Sequence, residues 1–212
     1  MSHTLHRRGP AETLERDYVV FSMSAKGINE RGSSEKLARF LEIAARYAPV
    51  NMGDMKTGNA MRMLPAEIVE AAQDTSIVHA VFADPASVAG FLTDLAGAGL
   101  GTSVIVSGLF GQVSQCIHAA GLAPHTIEHS LGFKGDLQRL PPEGVLRVTT
   151  MCGHGMVSAA LVRRVLHDIK RGRRTVAEAA AYIARPCECG VFNPLRDGRL
   201  LEDLATAYTL RQ

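Results

Sequence analysis

Runs of apolar residues along the chain predict a series of strands. Tyr18–Met23 predicts the first strand, and a second strand is expected near Val50–Met55. Ile77–Ala83 and Thr102–Ser107 are near-continuous apolar runs, which are typical of strands buried on both faces. These segments predict a sheet in the first half of the chain.

Two later segments also have strand patterns. Ile127–Phe133 alternates between apolar and polar residues, which suits a strand with one wetter face. Val145–Thr150 is a short apolar run and is predicted to be the last strand. It leads directly into Met151-Cys152-Gly153-His154-Gly155, so this glycine-bearing loop is expected at the carboxyl end of a strand.

Helical spacing of apolar residues fills the intervals between the strands. Leu37, Phe40, Leu41 and Ala44 share one helix face, and Pro49 ends that helix. Further helices are predicted at Pro65–Ala72, Gln112–Ala120 and Met156–Lys170. Two more are predicted from their N-terminal signals, the N-cap Asp84 and the capping box of Thr175 and Glu178. A final helix is predicted from Leu200, Leu201, Leu204 and Tyr208.

The alternation of strands and helices predicts an α/β fold. Strand–helix–strand units at this spacing favour parallel pairing through right-handed crossovers. We therefore expect a twisted, mainly parallel sheet with flanking helices and a helical C-terminal third. Residues 1–17 are polar and are predicted to form a loose N-terminal arm, with residues 18–212 as a single α/β domain.

Composition narrows the classes of partner. Apolar residues make up 46% and charged residues 21% of the 212 residues, which suits a packed globular core. The net charge of +2 does not favour nucleic acid or a membrane surface as a partner. No segment has the apolar length of a membrane span, and no signal peptide is recognised, so a cytoplasmic location is the default expectation. The exposed helices would support a homo-oligomer.

Basic residues cluster in one part of the C-terminal third, and two interpretations of the cluster stay open. They form either a solvated helix face or a site for an anion or an acidic partner. The cluster consists of Arg163, Arg164, Lys170, Arg171, Arg173 and Arg174.

Cys152 is the leading candidate for chemistry. At the junction of a strand and a helix, the amide groups at the helix N-terminus would stabilise its thiolate. Gly153 and Gly155 would let the backbone turn tightly and let a ligand approach. In open α/β sheets, ligands bind at the carboxyl ends of strands, where this loop is predicted.

Two short resemblances involve the same loop. Cys152-Gly153-His154-Gly155, continuing through Ser158, resembles the active-site loop of rhodanese-type sulfurtransferases. That resemblance implies that Cys152 carries a persulfide within a cradle of backbone amides. Met151-Cys152-Gly153-His154-Gly155 also resembles the first catalytic-cysteine motif of proline-racemase-like enzymes, which implies that Cys152 is one of two acid/base thiols. Both resemblances are confined to the residues around Cys152.

A second cysteine motif completes a candidate ligand set. In an extended stretch, Cys187 and Cys189 would point to the same face, and two helices joining the motifs would return the chain towards Cys152. Together with Cys152 and His154, they provide three thiols and an imidazole, a set that suits tetrahedral zinc. Three thiolates with one open position would equally suit an iron–sulfur cluster. Cys116 lies on the apolar face of a predicted helix and is expected in the core.

Other polar residues are weaker candidates. Lys26 lies in a glycine-bearing loop after the first strand and could bind an anion as a point charge. Lys56 follows the second strand in a similar loop, and either loop could simply be exposed. His125 and His129 flank the alternating segment, and the pattern does not choose between them.

These residues give three hypotheses for function. The leading one is an enzyme of the lyase or hydrolase type, in which a zinc ion or iron–sulfur cluster held by Cys152, His154, Cys187 and Cys189 activates a small polar or anionic substrate. The alternative is a metal-free cysteine enzyme, with sulfur transfer or thiol acid/base chemistry at Cys152. The third is a non-catalytic ligand-binding module with a structural metal.

Overall fold

The computed structural model describes residues 4–207, and Tyr208 of the predicted last helix lies outside this range. The chain divides into two compact units. The sheet unit comprises residues 11–127 and 188–191. The helical unit comprises residues 4–10, 128–187 and 192–207 of the described chain.

The sheet unit contains five strands and five helices among its described residues. The strands are β1 (Tyr18–Met23), β2 (Asn51–Asp54), β3 (Gly58–Asn59), β4 (Ile77–Phe82) and β5 (Ser103–Ser107). The helices are α1 (Ala11–Leu14), α2 (Ser33–Ala45), α3 (Pro65–Glu70), α4 (Pro85–Ala98) and α5 (Phe110–Ala119).

The prediction of a mainly parallel sheet is wrong. The strand order is β3-β2-β4-β1-β5, and every pairing among these strands is antiparallel. The crossovers β1-α2-β2 and β4-α4-β5 do join strands that run in the same direction. In each case, however, a third strand lies between the two, which is the arrangement of a split βαβ unit. Strand–helix–strand spacing therefore gave the correct relative direction in these two crossovers, but it could not reveal the strand that lies between. The prediction fails fully for β2 and β4, which flank α3 in the chain and pair antiparallel.

The core of the sheet unit is aliphatic with a small aromatic centre. Phe91 of α4 packs against Phe40 of α2 and Phe82 of β4, with ring centroids 5.0 and 5.3 Å apart. Asp84 caps α4 by accepting a hydrogen bond from the Ser87 amide at 2.8 Å, as its position predicts. Cys116 is buried in this core, which confirms its expected structural role.

The helical unit contains α6 (Glu143–Thr149), α7 (Ala159–Lys170), α8 (Val176–Ala184), α9 (Pro194–Ala207) and a 3₁₀ turn at Leu137–Arg139. Its buried apolar side chains include Val162, Val165, Leu166, Ile183, Leu200 and Leu201. Thr175 and Glu178 form the predicted capping box at the start of α8.

The two strands predicted in the C-terminal half are wrong. Ile127–Phe133 has no regular secondary structure, and Ile127, Leu131 and Phe133 are all exposed. Apolar and polar residues alternate in a strand when one face is buried, and none of these three side chains is buried, so their alternation does not indicate a strand. Residues 145–149, predicted as strand, belong to α6, because a short apolar run alone does not distinguish a strand from a buried helix. Val145 and Val148 are three residues apart, so both reach the same buried helix face.

The N-terminal segment of the helical unit is held by arginine contacts. Arg8 forms an ion pair with Glu143 at 2.6 Å, and its amide donates to the Thr150 hydroxyl at 3.0 Å. The Arg196 guanidinium donates to the Arg8 carbonyl at 2.6 Å. These contacts tie residues near the N-terminus to α6 and α9.

Candidate functional site

Cys152 lies in the loop between α6 and α7 of the helical unit. The expectation that it follows a strand is wrong, because the segment before it is helical. The loop begins beyond Thr150, the C-cap of α6, and ends at Ser158, the N-cap of α7. The Ser158 hydroxyl accepts a hydrogen bond from the Leu161 amide at 3.1 Å, which fixes the start of α7. Cys152 therefore precedes a helix N-terminus, as the sequence predicts.

Backbone amides surround the sulfur of Cys152. The N–H groups of His154, Met156 and Val157 donate hydrogen bonds to it. Gly155 has a φ of 72°, a left-handed conformation that favours glycine and allows the tight turn between these donors. Consecutive amides that point inward form an anion-binding concavity. The loop thus has the geometry to stabilise a negative charge on Cys152.

Cys187 completes the surroundings of this sulfur. It follows α8, is 1% exposed, and its amide donates to the Ala184 carbonyl at 3.0 Å. The thiol of Cys187 donates a hydrogen bond to the sulfur of Cys152. Helices α7 and α8 lie between the two cysteines in the chain, and the helical unit brings the two thiols together.

The hydrogen bonds outweigh burial in setting the charge of Cys152. Together with the three backbone amides, the hydrogen bond from Cys187 lowers the pKa of Cys152 from 9.0 to about 6. Burial of the side chain, which is 2% exposed, opposes this change by raising the pKa. The hydrogen bonds therefore favour the thiolate form of Cys152.

The other predicted residues of this loop lie on its outer surface. Gly153, His154 and Gly155 are exposed, and so is Met156. The backbone amide of His154 donates a hydrogen bond to the Cys152 sulfur. The role predicted for His154, as a metal ligand or acid/base group, would instead require its imidazole, and the residue is exposed.

Cys189 belongs to the sheet unit and does not lie in the extended stretch assumed from the sequence. Glu188 and Cys189 lie in a turn rather than in an extended stretch, so alternation along a strand does not set their directions. The carbonyls on either side of Cys189 are held by buried amides. Asn51 donates to the Gly190 carbonyl at 2.6 Å, and Asn59 donates to the Glu188 carbonyl at 3.1 Å.

This turn packs tightly on buried polar side chains of the sheet unit. Gly190 has a φ of 75°, and a Cβ at this position would lie 2.7 Å from the Asn59 Cβ and 2.8 Å from His79 Nε2. Glycine is therefore required both for the backbone conformation and for the close approach. His79 lies in β4 and is fully buried. Sequence reasoning missed the role of the Asn51 side-chain amide, because no local pattern marks it.

Asp197 of α9 is a buried carboxyl group that sequence reasoning also missed. It is fully buried, and neither of its carboxylate oxygens accepts a hydrogen bond from the described residues. Burial raises its pKa well above the usual value, although the neighbouring Arg196 lowers it. The preceding turn is fixed by Asn193, whose side chain accepts from the Arg196 amide at 2.9 Å.

Metal binding by the cysteine motifs stays a prediction. Within residues 4–207, no group of three or more His, Cys, Asp or Glu side chains converges in a way that could hold a metal ion. The structure brings two of the predicted ligands, Cys152 and Cys187, within hydrogen-bonding distance of each other.

The weaker candidates lie on exposed loops or are engaged elsewhere. Lys26 is exposed in the loop after β1. The Lys56 ammonium donates to the Asp74 carbonyl at 2.8 Å and to the Thr75 hydroxyl at 2.6 Å. His125 and His129 are exposed, and the segment that they flank is not a strand.

Comparisons with family models, with curated proteins and with solved structures give no match to this chain. None of the helices formed by residues 4–207 has the length and apolar character needed to cross a membrane. Functional inference therefore depends on the chemistry of the chain's own residues.

Proposed function

We propose that this protein is a thiol-dependent enzyme in which Cys152 is the nucleophile and Cys187 is the resolving thiol. The observation that carries the proposal is the set of hydrogen bonds to the Cys152 sulfur, three from backbone amides and one from the Cys187 thiol. The thiolate is the nucleophilic form of cysteine, and oriented donors stabilise it. The short resemblance to the rhodanese-type active-site loop, where backbone amides cradle a sulfur-carrying cysteine, is consistent with this role.

The substrate class is a small molecule with a sulfur–sulfur bond, either a disulfide or a persulfide. Cys152 attacks one sulfur of this bond, the bond breaks, and the first half of the substrate leaves as a thiolate. Cys187 then attacks the Cys152 sulfur, and the second half leaves and takes the proton of the Cys187 thiol. The substrate gains two electrons, and the protein dithiol becomes an intramolecular disulfide. An external thiol reductant restores the dithiol.

Access to the buried sulfur depends on the outer part of the loop. Residues 153–156 are exposed and directly follow Cys152, which is only 2% exposed. A substrate reaches the sulfur when this segment moves aside. The nucleophile is thereby shielded from bulky oxidants, and a small substrate is favoured.

The proposal is tested by trapping the intermediate. The reduced full-length protein is incubated with bis(hydroxyethyl) disulfide without oxygen, quenched with acid and analysed by peptide mass spectrometry. The wild-type protein should form a disulfide between Cys152 and Cys187. The Cys187→Ser variant should stop at a mixed disulfide on Cys152, because the resolving thiol is missing.

Two further variants serve as controls for the trapping experiment. Cys116→Ser should behave like the wild type, because Cys116 is a core residue whose thiol contacts the Pro85 carbonyl at 3.4 Å. In Cys152→Ser, an adduct on Cys187 should form much more slowly than the adduct on Cys152 forms in Cys187→Ser. Equal labelling of Cys187 in the Cys152→Ser variant would show that Cys152 is not the nucleophile, and the proposal would be abandoned.

A second candidate is the predicted metal or iron–sulfur centre. The observation in its favour is the adjacent pair formed by Cys152 and Cys187, because two thiols at one point supply half of a soft-metal site. Elemental analysis and a visible absorption spectrum of protein purified without oxygen test this candidate. Near-stoichiometric zinc or iron that is lost in a Cys152→Ser/Cys187→Ser double variant would favour it over the dithiol mechanism.

A further inference from the structure

A cleft in the helical unit is lined by four arginines and is separate from the cysteine chemistry described above. Its volume is about 590 Å³, within the range of pockets that hold small molecules. The lining residues are Arg164, Asp168, Arg173, Arg174, Glu178, Ala181, Tyr182 and Arg185. They come from α7, from α8 and its C-cap, and from the segment between the two helices.

The turn after α7 folds two of these arginines back towards the helix. Gly172 has a φ of 66°, and its amide donates to the Ile169 carbonyl at 2.9 Å. The Arg173 amide donates to the Asp168 carbonyl, also at 2.9 Å. This pair of hydrogen bonds is a Schellman motif, which ends a helix at a left-handed glycine. The motif places Arg173 beside the last turn of α7 rather than letting it continue outward.

Arginines outnumber carboxylates in the lining of the cleft. Four arginines line it together with Asp168 and Glu178, so the lining residues carry a formal charge of +2. Glu178 is already engaged at the start of α8, where it accepts from the Thr175 amide at 2.8 Å and from its hydroxyl at 3.0 Å. The central carboxylate that the arginines share is therefore Asp168.

The ion pairs with Asp168 are long. Its carboxylate lies 3.5 Å from Arg164, 3.7 Å from Arg173 and 3.6 Å from Arg174. Charge-assisted hydrogen bonds between arginine and an anion are usually about 2.7–2.9 Å long. Each guanidinium has several N–H groups, so three arginines grouped loosely around one carboxylate keep donors for another anion.

One of the arginines is held in place by an aromatic ring. The Arg174 guanidinium carbon lies 4.2 Å from the centre of the Tyr182 ring, which is a cation–π contact. This contact restrains the guanidinium before any ligand arrives. Because less side-chain freedom is lost on binding, the affinity for an anion increases.

We infer that this cleft binds a diphosphate group. Arginine is suited to phosphoryl groups because its planar fork matches two phosphate oxygens. The arginines approach from both helices and from the connecting segment, an arrangement that matches two linked phosphoryl groups better than a single one. Of the two interpretations of the basic cluster, the anion site is supported for Arg164, Arg173 and Arg174, which line the cleft. Arg163 and Arg171, which are exposed and do not line it, retain the solvated-face interpretation.

Isothermal titration calorimetry with inorganic pyrophosphate at low salt tests the inference on the full-length chain. We expect saturable binding by the wild type and a loss of about tenfold or more in affinity for Arg173→Gln/Arg174→Gln, because each lost charge-assisted hydrogen bond weakens binding by about that factor. The matched control Arg163→Gln/Arg171→Gln removes the same net charge outside the cleft and should change the affinity by less than about twofold.

A second pair of variants keeps every arginine in place. Ala181 is an exposed residue that lines the cleft, so Ala181→Glu introduces a carboxylate there without removing a donor. Ala96→Glu makes the same change on an exposed position of α4 in the sheet unit. Only Ala181→Glu should weaken pyrophosphate binding. Thermal unfolding of each variant establishes that it is folded before titration.

Three results would overturn the inference. They are the absence of saturable heat with the wild type, an equal loss of affinity in the two double-arginine variants, and unchanged affinity in Ala181→Glu. The second result would show that pyrophosphate is attracted by net charge alone.

Discussion

Replacing Cys187 by alanine should raise the pKa of Cys152. The Cys187 thiol makes the largest contribution to the lowered pKa of Cys152, and alanine at this position cannot donate a hydrogen bond. A hydrogen bond to a charged group contributes about 1.5–3 kcal/mol. Because each pKa unit corresponds to about 1.4 kcal/mol, losing this bond should raise the pKa by roughly 1 to 2. The three backbone amides remain, so the pKa should stay below the ordinary value of 9.0.

The ultraviolet absorbance of the thiolate, measured against pH, reports this pKa directly. Subtracting the titration of Cys152→Ser isolates the signal of Cys152 from the other cysteines. The wild type should titrate near pH 6, and Cys187→Ala about 1 to 2 pH units higher. Cys187→Ser keeps a hydroxyl donor and should shift the midpoint by less than half as much. Cys116→Ala should not move it.

The same ionisation couples to stability with a definite sign. Cys152 loses its proton at about pH 6 in the folded protein and at about 9.0 in the unfolded chain, so between these values the unfolded state binds more protons. Stability should therefore rise with pH across this window relative to Cys152→Ser, and the advantage should disappear as the pH falls through 6. An unchanged midpoint in Cys187→Ala, together with parallel stability curves, would refute the hydrogen-bonding argument.

Substitutions at three further positions, Gly190, Thr175 and Asp197, are tested by urea denaturation. Gly190→Ala should cost about 2–4 kcal/mol, because it combines a left-handed φ with the close contacts at its Cβ, whereas Gly121→Ala shares the left-handed φ in open space and should cost only about 1–2 kcal/mol. Equal losses would mean that the turn around Gly190 adjusts freely. Thr175→Ala should cost about 1 kcal/mol by removing the N-cap of α8, and Thr175→Ser should restore most of it. Asp197 should hold its proton in the folded state at pH values where the unfolded chain has lost it, so above about pH 3.8 wild-type stability should fall with rising pH relative to Asp197→Asn. Asp197→Asn should lack this fall, and identical pH profiles would contradict a raised pKa.

Local patterns predicted the elements of the sheet unit but not their arrangement. The apolar run of β4 and the N-cap Asp84 can be recognised from residues adjacent in the sequence, and both are found as predicted. The insertion of β1 between β4 and β5 depends on contacts between residues far apart in the chain. No local pattern encodes such contacts, which is why the sheet was wrongly predicted to be mainly parallel.

For the candidate site, the sequence supplied the residue types and a partial grouping. Cys152 could be selected because it stands beside glycines before a helix, and Cys187 because two helices separate it from Cys152. The amides of Met156 and Val157 could not be foreseen as donors, because any residue supplies an N–H group and only the path of the loop aims it. For Cys189, an extended stretch from Cys187 was assumed, whereas Glu188 and Cys189 lie in a turn.

The arginine cleft shows how one backbone conformation changes the meaning of a charge cluster. In a continuing helix, Arg171, Arg173 and Arg174 would point in different directions around the axis, as expected of a solvated face. The left-handed turn at Gly172 interrupts α7, and Arg173 and Arg174 then approach the carboxylate of Asp168. Glycine after a basic last turn is a recognised signal for a helix end, so the end of α7 at Gly172 could be predicted from the sequence. What the sequence did not contain was the position of α8, whose Tyr182 and Arg185 form the other side of the cleft. A charge cluster therefore becomes a binding-site hypothesis only when the chain is known to reverse within it and a second element closes the opposite side.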